Sequence, residues 1–320
     1  MSKAVCVITG SNSGFGKEVA KCIARQGGAV TITGRTAEKN EAVKAECEAL
    51  GGRAIAVVTE VSDYESVKNL FAKAKEAFGD ITHVFINAAV LPKCENYVLD
   101  NDEVAVGDIE NTLNIDVKGV MYTARNAFKT LVEQGHGGCV VFTSSVMGSC
   151  GNGWAENFPA GAAYSLYSGS KSFIDSVARS STTFAKDHNI RTFTISPSLY
   201  ITGMTEGLEC DYYATMFNPV LKDCTGDARD VARVVMAMFD GTTSWTSGSN
   251  VGCEGPFTYD IHERYKTVYA PESFGVCSPP IPLDALCNYL GEPAGVTQAS
   301  LDKISSDYKA SKSAEESIAQ

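Results

Sequence analysis

Histidine and tryptophan are scarce in this chain of 320 residues, which has four of the first and two of the second. Its eleven cysteines form no Cys-x-x-Cys pair and lie scattered in apolar segments such as Val5-Cys6-Val7. That pattern lacks the ligand spacing of a zinc site. An odd cysteine count reads as reduced, mostly buried thiols, not as a disulfide framework. No apolar run approaches the roughly 20 residues of a membrane-spanning helix. Basic residues are outnumbered, 27 Lys and Arg against 38 Asp and Glu, for a net charge of −11 and a pI near 4.9. A partner that needs a basic face, nucleic acid or an anionic membrane, is therefore not expected. Only Met1-Ser2-Lys3 precedes the first apolar run, so the reading expects no secretory leader and a cytoplasmic location.

What remains is a globular composition, 44% hydrophobic and 20% charged, with strand-like and helix-like segments in alternation. Ala4–Thr9 is a continuous apolar run, as a strand covered on both faces should be. Gly10-Ser11-Asn12-Ser13-Gly14-Phe15-Gly16 follows directly, then an amphipathic helix from Lys17 to about Gln26. Strand, glycine-rich turn and helix together make a phosphate cradle, in which bare backbone approaches a pyrophosphate at a helix N-terminus. Further strands are read at Ala29–Thr33, Ala54–Val58, Val84–Ile86, Cys139–Phe142, Arg191–Ser196 and within Gly248–Gly255. Helices are read at Ala37–Leu50, from a Ser62/Glu65 capping box to Phe78, at Asn111–Gln134, after Tyr164, and from Asp230. Residues 91–110 read as polar and irregular. The whole predicts one α/β domain over residues 1–256: a doubly wound parallel sheet of about seven strands with helices on both faces. Residues 257–320, with a proline-rich patch at Ser278–Pro282, read as a C-terminal extension.

The stretch Gly138–Lys171 carries the chemistry. Its strand stops at Thr143-Ser144-Ser145 and, after a glycine-rich insertion, resumes as a helix with Tyr167 and Lys171 four residues apart. That spacing puts both on one helix face. An ammonium beside a phenol stabilises the phenolate and lowers its pKa, and Ser145 could hold the oxygen that the tyrosine protonates. Spacing alone is weak, because Tyr64/Lys68 and Tyr308/Lys312 repeat it.

Taken together, Thr9-Gly10-x-x-x-Gly14-x-Gly16, Ser145, Tyr167 and Lys171 resemble the short-chain dehydrogenase/reductase family, over roughly residues 1 to 255. The resemblance implies a Rossmann-type fold and an oxidoreductase that interconverts a carbonyl and an alcohol with a nicotinamide cofactor. It implies Asn114 as fourth member of the catalytic group, anchoring a water that links Lys171 to solvent. It implies cofactor contacts at the glycine-rich turn, at Glu60-Val61, at Asn87-Ala88-Ala89, and at Pro197-Ser198, Tyr200, Ile201 and Thr202. The chain departs from the family pattern at Ile86 and Ala89 (usually Asn and Gly), at Glu60 (usually Asp) and at Ser198 (usually Gly). Ser145 and Tyr167 are twenty-two positions apart, longer than usual. The inserted Trp154 and Phe158 either line the substrate pocket or pack the loop down. Residues 203–226 fall where the family keeps a substrate-binding flap, and their Met204, Tyr212 and Phe217 suggest an apolar or bulky substrate. A homodimer or homotetramer is the usual assembly.

By the same resemblance Gly34 stands where NAD-preferring relatives carry an acidic residue, eighteen positions beyond Gly16. A carboxylate there would repel a 2′-phosphate, whereas glycine leaves room. Arg35 offers a planar charged fork and Thr36 a hydroxyl, so NADP(H) is expected ahead of NAD(H). Two other readings stay open: an NADP(H)-binding sensor without turnover, and a lyase or epimerase on the same fold.

Overall fold

A computed structural model describes residues 4–93, 101–150, 163–198, 200, 202–205 and 228–253. The strands are β1 (Val5–Ile8), β2 (Ala29–Gly34), β3 (Arg53–Val58), β4 (His83–Ile86), β5 (Gly138–Thr143), β6 (Ile190–Pro197) and β7 (Asn250–Cys253). They form one sheet in the order β3-β2-β1-β4-β5-β6-β7, every neighbouring pair parallel. The chain steps outward from β1 to β3 and then returns to lay β4 against the other side of β1. That reversal opens a crevice above the carboxyl ends of β1 and β4, where sheets of this kind bind ligands.

The period-two alternation of side chains along each strand divides the core in two. Val5 and Val7 of β1, Val84 and Ile86 of β4, and Val140 and Phe142 of β5 face one cluster. Helices α3 (Tyr64–Phe78), α5 (Val120–Gln134) and α7 (Ala163–Lys186), the last preceded by the short α6 (Val146–Cys150), close it with Leu70, Leu131 and Ile174. Cys6 and Ile8, Phe85, and Cys139 and Val141 face the other. Helices α1 (Gly14–Arg25), α2 (Ala37–Ala49) and α8 (Ala228–Phe239) close that side with Ile23, Val43 and Val235. Each buried Val, Leu, Ile or Phe contributes about 1.5–3 kcal/mol, so both clusters are needed to fix the sheet. Among the described residues no helix is long and apolar enough to cross a membrane.

Two expectations need correcting. Asp63, not Ser62, caps α3, its carboxylate accepting from the Glu65 amide at 3.1 Å. Ser62 instead donates its hydroxyl to Glu60 at 2.8 Å. The stretch read as irregular contains α4 (Asp102–Thr112), capped by Asn101, whose side chain accepts from the Val104 amide. Its buried positions are Ala105, Asp108 and Thr112 while Val104 and Val106 are exposed, so it has no apolar stripe to read. A π-helical stretch, Leu113–Gly119, joins α4 to α5. The proposed 257–320 extension, most of the 203–226 flap, Trp154, Phe158 and Tyr308 lie outside the described residues.

Candidate active site

The cradle end of the crevice is made by backbone. Gly10 has φ +66°, and a Cβ there would come within 2.9 Å of the Ala88 backbone, so only glycine fits the turn. Gly16 starts no contact of its own with the crevice. A Cβ on it would press on the Gly10 carbonyl oxygen and the Asn87 carboxamide, so it lets α1 sit against the turn. Asn87, at the end of β4, donates to the carbonyls of Thr9 (3.2 Å) and Gly10 (3.1 Å) and accepts from Thr143 (3.3 Å). Ser11 is fully buried, its hydroxyl accepting from the Thr33 amide at 2.7 Å and donating to Ile8 at 3.1 Å. It ties β1 to β2 and has nothing left for a phosphate.

From this turn a cavity of about 370 Å³ runs to Lys171. Its walls include Asn12, Ser13, Gly14 and Phe15 of the turn, Glu60 and Val61 after β3, and Asn87, Ala88 and Ala89 after β4. Pro197, Ser198 and Thr202 after β6 complete it. Arg35 and Thr36 line its mouth after β2, exposed, with Lys39 one turn along α2. A nicotinamide dinucleotide fits these residues: uncapped α1 amides face the turn, bare glycine backbone allows close approach, and cations stand at the far rim. The glycine at position 34 has a second cause. A Cβ there would overlap the Asn12 carboxamide, which donates to Asn40 at 3.0 Å, while Asn40 donates to the Gly34 carbonyl at 2.9 Å.

At the other end stand Ser145, Tyr167 and Lys171. Ser145 lies two residues beyond β5 and donates to the Pro197 carbonyl at 3.3 Å. Tyr167 is half-buried on α7, with the Ser145 hydroxyl near enough to act on its phenol. Lys171, one turn on, is 1% exposed, and its Nζ lies 5.1 Å from the centre of the Tyr167 ring. Its direct partner is Asp116 of the π stretch, 0% exposed, with Oδ2 at 3.1 Å. Burial pulls the ammonium down, but Asp116 above all, with Tyr167 and Asp175, outweighs it and leaves Lys171 raised. Burial is also the largest influence on Tyr167 and pushes the phenol up. Lys171 and Ser145 draw it down and Asp116 pushes it up again, so the net direction is upward. The lysine's lowering effect expected from sequence is present and is outweighed.

Asn114 is not part of this cluster: its side-chain oxygen accepts from Lys118 at 2.9 Å. Tyr200 turns its hydroxyl to the Cys253 carbonyl at 2.8 Å and its ring edge to Phe15, so it supports the turn from behind. Ile201 lies outside the described residues. The second Tyr-x-x-x-Lys pair is plain helix surface, where Lys68 meets Glu65 at 3.1 Å and the Tyr64 hydroxyl accepts from Arg125. Sequence reasoning missed Lys39, Thr59, Ile115 and Asp116. Lys39 was legible as a basic residue one helical turn beyond Arg35. For Asp116 the one signal was a carboxylate among the inward positions of a long helix. Among the described residues no cluster of His, Cys, Asp and Glu could hold a metal ion.

Residues 4–212, more than half of the chain, match the short chain dehydrogenase family. Over 254 residues the chain is 27% identical to the 3-oxoacyl-(acyl-carrier-protein) reductase of Thermotoga maritima, covering 78% of this chain and 96% of that protein. It is 28% identical over 255 residues to the cis-4-hydroxycyclohexanecarboxylate dehydrogenase of Sinomonas cyclohexanicum, covering 79% and 96%. It superposes on a 3-ketoacyl-(acyl-carrier-protein) reductase from Brucella melitensis complexed with NADH at a TM-score of 0.66 and 22% identity, covering 79% and 97%. The sheet, the glycine-rich turn and the matched residues together establish that the chain belongs to the short chain dehydrogenase family, as an NAD(P)-dependent oxidoreductase acting on the carbonyl/alcohol couple.

Proposed function

We propose that this enzyme reduces an apolar or bulky carbonyl compound with NADPH, using Tyr167 as the proton donor. The observation that carries the reading is the Ser145–Tyr167–Lys171 cluster at one end of the same cavity whose other end is the glycine-rich turn. When bound, the nicotinamide supplies the hydride. Tyr167 gives its phenolic proton to the carbonyl oxygen, or takes it back from the alcohol. Ser145 orients and polarises that oxygen with its hydroxyl. Lys171 keeps a positive charge beside the phenol and holds the nicotinamide ribose.

The preference for NADP(H) rests on two exposed cations at the mouth, Arg35 and Lys39, and on the absence of a carboxylate at Gly34. Exposed Leu113, Met121 and Phe184 support a homodimer or homotetramer. Free cysteines at positions 6, 22, 47, 139 and 253 support a reducing, cytoplasmic setting. Cys47 and Cys139 are pushed up to about 11 and about 12, chiefly by burial.

The test is consumption of NADPH, and separately NADH, with a panel of aldehydes, quinones, cyclic ketones, sugars and acyl ketones. The reading expects turnover of at least one apolar carbonyl, faster with NADPH. A folded protein that binds NADPH and turns over none of them would be a sensor, not this enzyme.

A further inference from the structure

The reaction described above gives no task to the buried carboxylate of Asp116, the direct partner of Lys171. Asp116 is fully buried in the π stretch and spends both oxygens. Oδ1 accepts from the Val90 amide at 2.9 Å. Oδ2 accepts from the Ser170 hydroxyl at 3.3 Å and meets Lys171 Nζ at 3.1 Å. It therefore ties the loop after β4 and helix α7 to the helix that crosses between them. We propose that Asp116 is a positioning residue which fixes the Lys171 ammonium through a direct buried ion pair and thereby sets the pH range over which Tyr167 holds its proton. The proposal rests on Tyr167 being the proton carrier.

Charge balance gives the direction. With Asp116 ionised, the resting trio of carboxylate, ammonium and phenol is neutral. Loss of the Tyr167 proton then leaves a net negative charge in a buried place, which is costly. Without the carboxylate the resting pair is cationic, and loss of the same proton makes it neutral. The phenolate would also be the anion left to neutralise an ammonium that had lost its buried counter-ion. Asp116 thus holds the phenol protonated to higher pH, in the direction its charge acts on Tyr167.

The other charged groups around the pair are accounted for. Asp175, one turn further along α7, also raises Lys171, and it faces Arg179. The end of β5 and the two residues after it present only the hydroxyls of Thr143, Ser144 and Ser145. Arg191 of β6 donates to the Met238 and Phe239 carbonyls on the opposite side of the sheet. Asp108 of α4 accepts from the Lys93 amide. The π stretch is what brings Asp116 to the site. A wider turn offsets the residues after it from the 3.6 period, and such inserts recur at functional positions.

The experiment is an ultraviolet titration of the tyrosinate band, with the Tyr167→Phe spectrum subtracted so that only Tyr167 is read. It is done on the otherwise native protein and in the Asp116→Asn background. The midpoint should fall by about one to three pH units in Asp116→Asn, the range for removal of a nearby charge. An unmoved or raised midpoint overturns the inference. It would leave the proton-transfer reading intact, because that reading stands or falls on turnover by Tyr167→Phe. Should Asp116→Asn fold poorly, Asp116→Asn/Lys171→Gln supplies the second measurement. A buried pair is worse broken than removed whole, so the double variant should melt above the single one. A double variant that melts at or below the single one overturns the pair.

Discussion

The two ends of the cavity hold their charges in opposite ways. At the cradle end Arg35 and Lys39 stand exposed, and the turn itself is shaped by backbone: Gly10 at positive φ and uncapped amides at the start of α1. At the Tyr167 end Lys171 and Asp116 are sealed from solvent and depend on each other. Water and salt screen the first kind of charge, so its loss is graded. The second kind has no solvent to fall back on, so its loss is severe. The comparison teaches that binding and chemistry in this enzyme should respond differently to mutation and to salt.

The largest effect is expected for Lys171→Met, which leaves Asp116 unpaired in the core. Breaking a buried pair in this way costs on the order of 3–5 kcal/mol. Chemical denaturation should show that loss, and turnover should vanish with it. A variant as stable as the wild type would make the pair dispensable and erase the contrast between the ends.

Arg35→Ala comes next. A charge-assisted hydrogen bond is worth roughly 1.5–3 kcal/mol, and exposure holds this one to the lower end, about tenfold in NADPH affinity. NADH binding should be nearly unchanged. Raising the salt concentration should weaken NADPH binding to the native enzyme and matter much less to Arg35→Ala. A wild-type enzyme that prefers NADH would refute the role of Arg35. Gly34→Asp, the obvious swap from sequence, is a poor test, because its Cβ would displace the Asn12 carboxamide whatever the cofactor. The smallest effect is expected for Asn114→Ala. Its one side-chain bond, to Lys118, is exposed, so stability should move by no more than about 0.5 kcal/mol and turnover should stay near native. A hundredfold loss of turnover would return Asn114 to the catalytic group.

The same contrast explains what could be read from the sequence. The cradle end is local: strand, turn and helix lie within Val5–Arg25, and glycine spacing reports the backbone directly. The inner strands β1, β4 and β5 were legible because each, buried on both faces, is an apolar run, whereas the edge strands β3 and β7 are only partly buried. The Tyr167 end joins β5, α7 and the π stretch, and its Ser145, Tyr167 and Lys171 were legible because each follows a strand or shares a helix face. Asp116 was not. Helical spacing assumes 3.6 residues per turn, and the π stretch breaks it between Thr112 and Val120. The resemblance asks for an asparagine, and the nearest asparagine is Asn114, two positions away. Helix α4 was missed for a related reason: its inward face is Ala105, Asp108 and Thr112, which bury little apolar surface.

The central claim is that Tyr167 moves the proton. Its direct test is turnover and NADPH binding measured side by side in Tyr167→Phe, with the carbonyl that the native enzyme reduces best. Removing the hydroxyl should lower turnover by on the order of 10² or more while NADPH binds as before, and Tyr64→Phe should match the native rate. Native turnover in Tyr167→Phe would contradict the account.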